Sequence, residues 1–256
     1  MSSLYFKEQG KGFPLIFIHG FCETSEVWDS VIDPLSKFFR VIVIDLPGFG
    51  KSINNPVPDS IDQAGETVIQ LIEDDLNLNK CIIFGHSLGG YVVLSMVEKN
   101  PDLFLAFGLI HSTAYADSDD RKISRNKVIE FVNVHGVAPF IQSFVPPLFY
   151  NQSSPKISWA VNMALKTPKE TLIGYTKAMR DRPDRSIVIK TLRRPVLFLA
   201  GQEDTVIPYE VIEEQAAIAK RANITVLEGA GHMGMLEKPE ETMLVILEFV
   251  KGNLTT

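Results

Sequence analysis

Unbroken apolar runs recur along the first half of the chain. They are Leu15-Ile16-Phe17-Ile18, Val41-Ile42-Val43-Ile44, Cys81-Ile82-Ile83-Phe84 and residues 107–110. A strand apolar at every position, rather than at alternate ones, is covered on both faces. Between these runs the apolar positions change to a helical period. Trp28, Val31, Ile32, Leu35 and Phe38 share one face, with Asp33-Pro34 placed to restart the helix. Ser60-x-x-Gln63 forms a capping box ahead of Ile61, Ala64, Val68, Leu71 and Ile72. Leu88, Val92 and Met96, beside Tyr91 and Ser95, mark a helix over residues 88–99 that Asn100-Pro101 stops. Residues 4–9, followed by Gly10-Lys11-Gly12, read as a strand and a turn. Strands alternating with helices predict an α/β protein whose sheet is mostly parallel, with helices on both faces.

The pattern breaks over residues 113–186. No buried strand is legible there, and the segment reads as short helices. It carries the aromatics Phe131, Phe140, Phe144, Phe149, Tyr150 and Trp159 and prolines at positions 139, 146, 147, 155 and 168 among others. Alternation then resumes, with strands over 196–199 and 224–227 and helices over 209–220 and 239–251. The expected organisation is one core, residues 1–112 and 187–256, interrupted by a helical insertion over 113–186.

Composition narrows the function. A chain of 256 residues with a formal charge of −6 and no long basic run is not built for nucleic acid or an anionic membrane. Residues 1–10 show no leader pattern, and no apolar run is long enough to span a bilayer. Cys22 and Cys81 fall at opposite ends of neighbouring strands, so no disulfide is expected and a cytoplasmic location is the default. The oligomeric state stays open, a homodimer included.

A parallel sheet offers its chemistry at the carboxyl ends of its strands. The residues that follow the predicted strands are His19-Gly20-Phe21, Asp45, Ser87, Asp204 and His232. Ser87 sits in Gly85-His86-Ser87-Leu88-Gly89 at a strand-to-helix junction, where a tight turn would lift its hydroxyl toward a base. The N–H of Leu88, at the helix start, would face an oxyanion formed next to Ser87. The N–H of Phe21 supplies the second such donor. His232, in Gly229-Ala230-Gly231-His232, is placed as the base. Asp204, in Gly201-Gln202-Glu203-Asp204, is placed as its acid, with Glu203 as competitor. His86 reads as a packing or loop residue. Arg180, Arg182 and Arg185, where the insertion rejoins the sheet, read as salt-bridging residues.

Two look-alikes fail. Gly48-Phe49-Gly50-Lys51-Ser52 lacks the first glycine of a phosphate-binding loop and has Asp45 there. Gly229-Ala230-Gly231-His232-Met233-Gly234 has too little chain beyond it for a dinucleotide fold. None of the five histidines falls in a metal-ligand spacing, so no metal is expected.

With these motifs the chain resembles enzymes of the α/β-hydrolase fold. The likeness is to the small, capped kind that includes bacterial carboxylesterases, lactonases and cofactor-free haloperoxidases or perhydrolases. The likeness covers nearly the whole length, and Ser87, Asp204 and His232 follow the chain order of that family's triad. It implies a serine hydrolase, free of cofactors, acting on small to medium, mainly apolar esters or lactones through an acyl-enzyme on Ser87. Perhydrolysis and a triad-bearing ligand receptor on the same fold are the alternatives. Phe21, Leu88 and Met233 are expected to line the substrate pocket, roofed by Phe140, Phe144 and Trp159. Dehalogenases and epoxide hydrolases of this fold place Asp where Ser87 stands. Ring-fission-product hydrolases usually follow their histidine with Trp, where this chain has Met233.

Overall fold

The computed structural model describes residues 4–254. Residues 1–3 and 255–256, the ends of the core as read from sequence, lie outside the described residues. The chain begins with β1 (Phe6–Gln9) and β2 (Pro14–Ile18). A 3₁₀ turn, Ser25–Trp28, leads into α1 (Asp29–Leu35), and β3 (Arg40–Ile44) follows. Next come α2 (Ile61–Gln70), ending in a π turn at Leu71–Asp75, β4 (Cys81–His86), α3 (Leu88–Lys99) and β5 (Phe104–Ile110). After β5 come α4 (Asp119–His135), α5 (Val137–Phe144), a 3₁₀ turn at Pro146–Leu148, α6 (Lys156–Ala164) and α7 (Lys169–Asp181). The chain continues with α8 (Ser186–Thr191), β6 (Val196–Gly201), α9 (Tyr209–Ile218), β7 (Ala222–Leu227), α10 (Gly234–Glu237) and α11 (Pro239–Leu254).

The seven strands form one sheet in the order β1-β3-β2-β4-β5-β6-β7, parallel except for β1. The chain leaves β2 for β3 on one side and returns to β4 on the other. The carboxyl ends of β2 and β4 therefore meet at a switch point, where an open α/β sheet has a crevice. Register pairs Ile16 with Ile42 and Ile83, all without exposed surface. Burying each such side chain stabilises by about 1.5–3 kcal/mol. On one face Phe17 meets Trp28, and Phe84 meets Phe249 of α11, so α1 and α11 cover that side. On the other face α2 and α8 pack against α3, and α9 against α8. Ten consecutive residues of α3, Leu88 to Val97, are buried, so the helix is enclosed on every side.

Some local expectations need correction. Pro34 does not restart a helix; it is the penultimate residue of α1, where it cannot donate to the Ser30 carbonyl, and the helix ends at Leu35. Phe38 lies beyond that end and is exposed. The insertion is not made only of short helices: α4 runs 17 residues, the longest described helix, yet Val132 is its one buried residue. Its many charged positions hid it from a search for an apolar face. The capping box forms with a shift: Ser60 Oγ accepts from Gln63 N at 3.1 Å, while Gln63 Oε1 reaches Asp59 N rather than Ser60 N.

Candidate active site

β4 passes into α3 through Ser87, whose backbone sits at φ +48°, ψ −111°. The turn is pinned on both sides: Ser87 N donates to Ile110 O at 2.9 Å, and Ser112 Oγ donates to Ser87 O at 2.7 Å. Both flanking glycines are steric requirements. A Cβ on Gly85 would lie 2.3 Å from the Gly89 carbonyl, and one on Gly89 would lie 2.6 Å from Ile18 O. Gly90 N donates to Ser87 O at 2.9 Å, while the Leu88 and Gly89 N–H groups before it have no helical acceptor and lie at the positive end of α3.

Asp204 lies three residues beyond β6, and all of its acceptor capacity is used. Oδ1 receives Val206 N at 2.8 Å and Ile207 N at 3.0 Å. Oδ2 receives Nδ1 of His232 at 2.7 Å and Nδ1 of His111 at 3.3 Å. Burial alone would raise the carboxyl's pKa, but the His232 and His111 imidazoles hold it well below the usual carboxylate range. Since the carboxylate only accepts, His232 carries its proton on Nδ1, and Nε2 is the nitrogen left to act as a base. Glu203, the competitor, is exposed and takes no part. Ser87 Oγ makes no hydrogen bond among the described residues; apo sites commonly draw this contact in only when substrate binds.

The histidine loop is tied to the insertion. His232 N donates to Leu148 O at 2.8 Å. Glu237 Oε2 accepts from Gly231 N at 2.8 Å, while its Oε1 accepts from Tyr150 N at 2.8 Å and Asn151 N at 3.2 Å. One carboxylate thus clips the insertion to the loop that carries His232.

Sequence reading missed further members of this cluster. His86 is fully buried and links two loops: Nδ1 lies 2.9 Å from Glu23 Oε2, and Nε2 lies 2.9 Å from His232 O. Both partners are acceptors, so both ring nitrogens carry hydrogen and His86 stands as an imidazolium. Burial would lower its pKa, but the Glu23 carboxylate raises it above the ordinary histidine value. Burial would likewise raise Glu23, and His86 instead holds it down. The same Oε2 accepts from Gly20 N at 2.6 Å, which fixes the loop bearing Phe21. His19 is locked as the neutral tautomer: Nδ1 donates to Gly20 O at 2.8 Å and Nε2 accepts from Leu46 N at 3.0 Å, with burial lowering its pKa. Among the described residues four non-glycine positions have left-handed φ, and three of them, Cys22, Ser87 and His111, flank this cluster. Strain of that kind concentrates at functional sites.

Of the pocket residues expected from sequence, Phe21 meets Phe144 edge-on at 5.9 Å, and Phe144 stacks on Phe140 at 5.1 Å. That aromatic row joins the insertion to the loop after β2. Leu88 and Met233 are buried beside Ser87 and His232 in sequence. Trp159 is not brought into the row; it is half-buried on α6, with the Lys156 ammonium 5.9 Å from its ring. Among the arginines, Arg182 binds Asp117, Met179 O and Tyr115 O and lies 3.9 Å over the Tyr91 ring. Arg185 pairs with Asp62 and Glu98, and Arg180 with Asp181, so all three are spent on ion pairs. Cys22 and Cys81 are buried free thiols, Cys81 pushed up to about 12 by burial. His111, Asp204 and His232 bring three possible metal-ligand atoms within 4.8 Å of one another. Both Nδ1 atoms already give their hydrogens to Oδ2, so a cation there would have to displace them. No described helix is long and apolar enough to cross a membrane.

A family model described as alpha/beta hydrolase fold matches residues 14–239. The chain is 26% identical to an (E)-2-((N-methylformamido)methylene)succinate hydrolase of Acinetobacter baylyi, over 93% of this chain and 90% of that one. It is 23% identical to a pimeloyl-[acyl-carrier protein] methyl ester esterase of Nitrosomonas europaea, over 94% of this chain and 97% of that one. Among solved structures, a thermophilic esterase from Thermogutta terrifontis superposes with a TM-score of 0.92 at 29% identity, covering 98% of this chain and 93% of that one.

Proposed function

This chain belongs to the alpha/beta hydrolase family, and from that premise we propose that it is a serine hydrolase of small to medium carboxylic esters or lactones. The observation that carries the reading is the 2.7 Å bond from His232 Nδ1 to a buried, anionic Asp204, beside a serine on a strained strand-to-helix turn. His232 Nε2 takes the Ser87 proton as Oγ attacks the ester carbonyl. Asp204 holds the imidazole and offsets the charge it gains. The N–H groups of Leu88 and Phe21 receive the oxyanion, and losing one such donor typically costs about 2.7–4 kcal/mol of transition-state stabilisation. The alcohol leaves with the proton from His232, and water then attacks the acyl-Ser87 ester by the same route.

The insertion, residues 113–186, serves as the cap, and its row of Phe140 and Phe144 against Phe21 favours apolar acyl groups. Esterase relatives at 29% and 23% identity support ester chemistry, while the particular substrates they act on are theirs. The test is turnover of short p-nitrophenyl esters and lactones by the wild type, abolished in Ser87→Ala. A folded wild type with no turnover of any such substrate would favour a ligand receptor on this fold, and halogenation dependent on peroxide would favour perhydrolysis.

A further inference from the structure

His111 directly follows β5, the strand between those that carry Ser87 and precede Asp204, and neither the motifs nor the mechanism above gives it a task. Its backbone is clamped from both sides. The preceding carbonyl, Ile110 O, accepts Ser87 N at 2.9 Å, and the next side chain, Ser112 Oγ, donates to Ser87 O at 2.7 Å. His111 N itself donates to Leu199 O on β6 at 2.8 Å. Held there at φ +47°, a conformation histidine seldom adopts, it turns a fully buried ring onto the acid. Nδ1 lies 3.3 Å from Asp204 Oδ2, the oxygen that also binds His232. Nε2 is buried and has no hydrogen-bond partner, and a Cβ on Gly234 would sit 2.4 Å from it.

Resting on the serine-hydrolase reading, we propose that His111 is a positioning residue: its Nδ1–H holds the Asp204 carboxylate so that Oδ2 meets His232 in one orientation. The ring has a single proton to place. Burial pushes His111 down to about 4 against the opposing pull of the Asp204 carboxylate, so it is neutral at pH 7. A proton on Nδ1 finds a carboxylate oxygen, whereas one on Nε2 would find no acceptor in the cavity wall. With two N–H groups on Oδ2 and two backbone N–H groups on Oδ1, the carboxylate can neither rotate nor release His232 without breaking a charge-assisted bond. A ring kept only for packing would need neither the polar edge nor the strained backbone.

Two substitutions separate donation from packing and strain. Glycine tolerates φ +47° but removes the donor, while asparagine tolerates it and puts an N–H where Nδ1 was. His111→Gly should lower kcat for p-nitrophenyl esters, and the rate at which a fluorophosphonate labels Ser87, by about tenfold or more, with KM unchanged within about twofold. His111→Asn should recover most of both rates. A folded His111→Gly variant with wild-type kcat would overturn the proposal, and so would an Asn variant that loses as much as Gly. Should the Gly variant fail to fold, ¹⁵N NMR of the wild type decides: Nδ1 carries the proton between pH 6 and 9, and an Nε2-protonated tautomer overturns it. A wild type that neither turns over esters nor takes the fluorophosphonate contradicts the serine-hydrolase reading instead. Normal wild-type rates with an indifferent His111→Gly contradict this proposal alone.

Discussion

Replacing Glu23 with glutamine removes one charge from a buried pair and changes almost no volume. The carboxylate and the His86 imidazolium lie 2.9 Å apart with 6% and 0% of their side chains exposed. At an effective dielectric constant of 20 their mutual attraction is roughly 6 kcal/mol, most of it offset by the cost of taking both ions out of water. Removing one partner leaves the other charge without a counter-ion, and such changes cost about 3–5 kcal/mol. For a chain of this size that corresponds to a fall of about 6–20 °C in Tm. The pH dependence follows from the two directions of shift. His86 is raised, so its contribution is complete below the unfolded value of about 6.5 and is lost as pH rises through the raised folded value. Glu23 is lowered, so its contribution is present above the unfolded value of about 4.3 and is lost only as pH falls through the lower folded value. The gap in Tm between wild type and Glu23→Gln is therefore widest from about pH 4.5 to 6.5 and narrows toward pH 9. Thermal melts followed by circular dichroism at pH 6 and pH 9 measure it. A gap under about 2 °C at pH 6, or one equally wide at pH 9, would refute the assignment of His86 as a buried cation.

Phe144→Ala should reorder a panel of p-nitrophenyl esters by acyl chain length through KM and kcat/KM. The Phe144 ring bridges Phe21 and Phe140, and a lost pocket contact can change discrimination about 10–200-fold. Equal loss for every ester would show that the ring supports the chemistry rather than the fit. Glu237→Ala frees three backbone N–H groups that join residues 150–151 to the His232 loop. It should lower kcat for all esters together, by about tenfold, with a Tm loss of about 2–8 °C, checked by steady-state kinetics and melting. A change confined to KM would mean that the clip serves binding alone.

The central strands were legible because burial on both faces writes itself as unbroken apolar runs, as in β2, β3 and β4. Ser87, Asp204 and His232 were legible because each follows a strand in a short motif whose glycines the turns require. α4 escaped notice because sixteen of its seventeen residues keep some contact with water, so it has no apolar stripe to read. Glu23, His86 and Glu237 act through partners 63, 146 and 87 positions away, a juxtaposition that only the folded sheet creates. His111 is a different case. It directly follows a strand foreseen from sequence, so applying the strand-end rule to β5 as to the others would have named it.

In the proposed reaction Ser87 carries the acyl group. Mixing the protein with excess p-nitrophenyl acetate, quenching in acid within the first turnover and mapping the peptides by mass tests it most directly. An acetyl adduct is expected on the peptide containing Ser87, absent from Ser87→Ala and accumulating when His232→Ala slows deacylation more than acylation. Turnover that persists in Ser87→Ala, or an adduct on another residue of the active wild type, would contradict it.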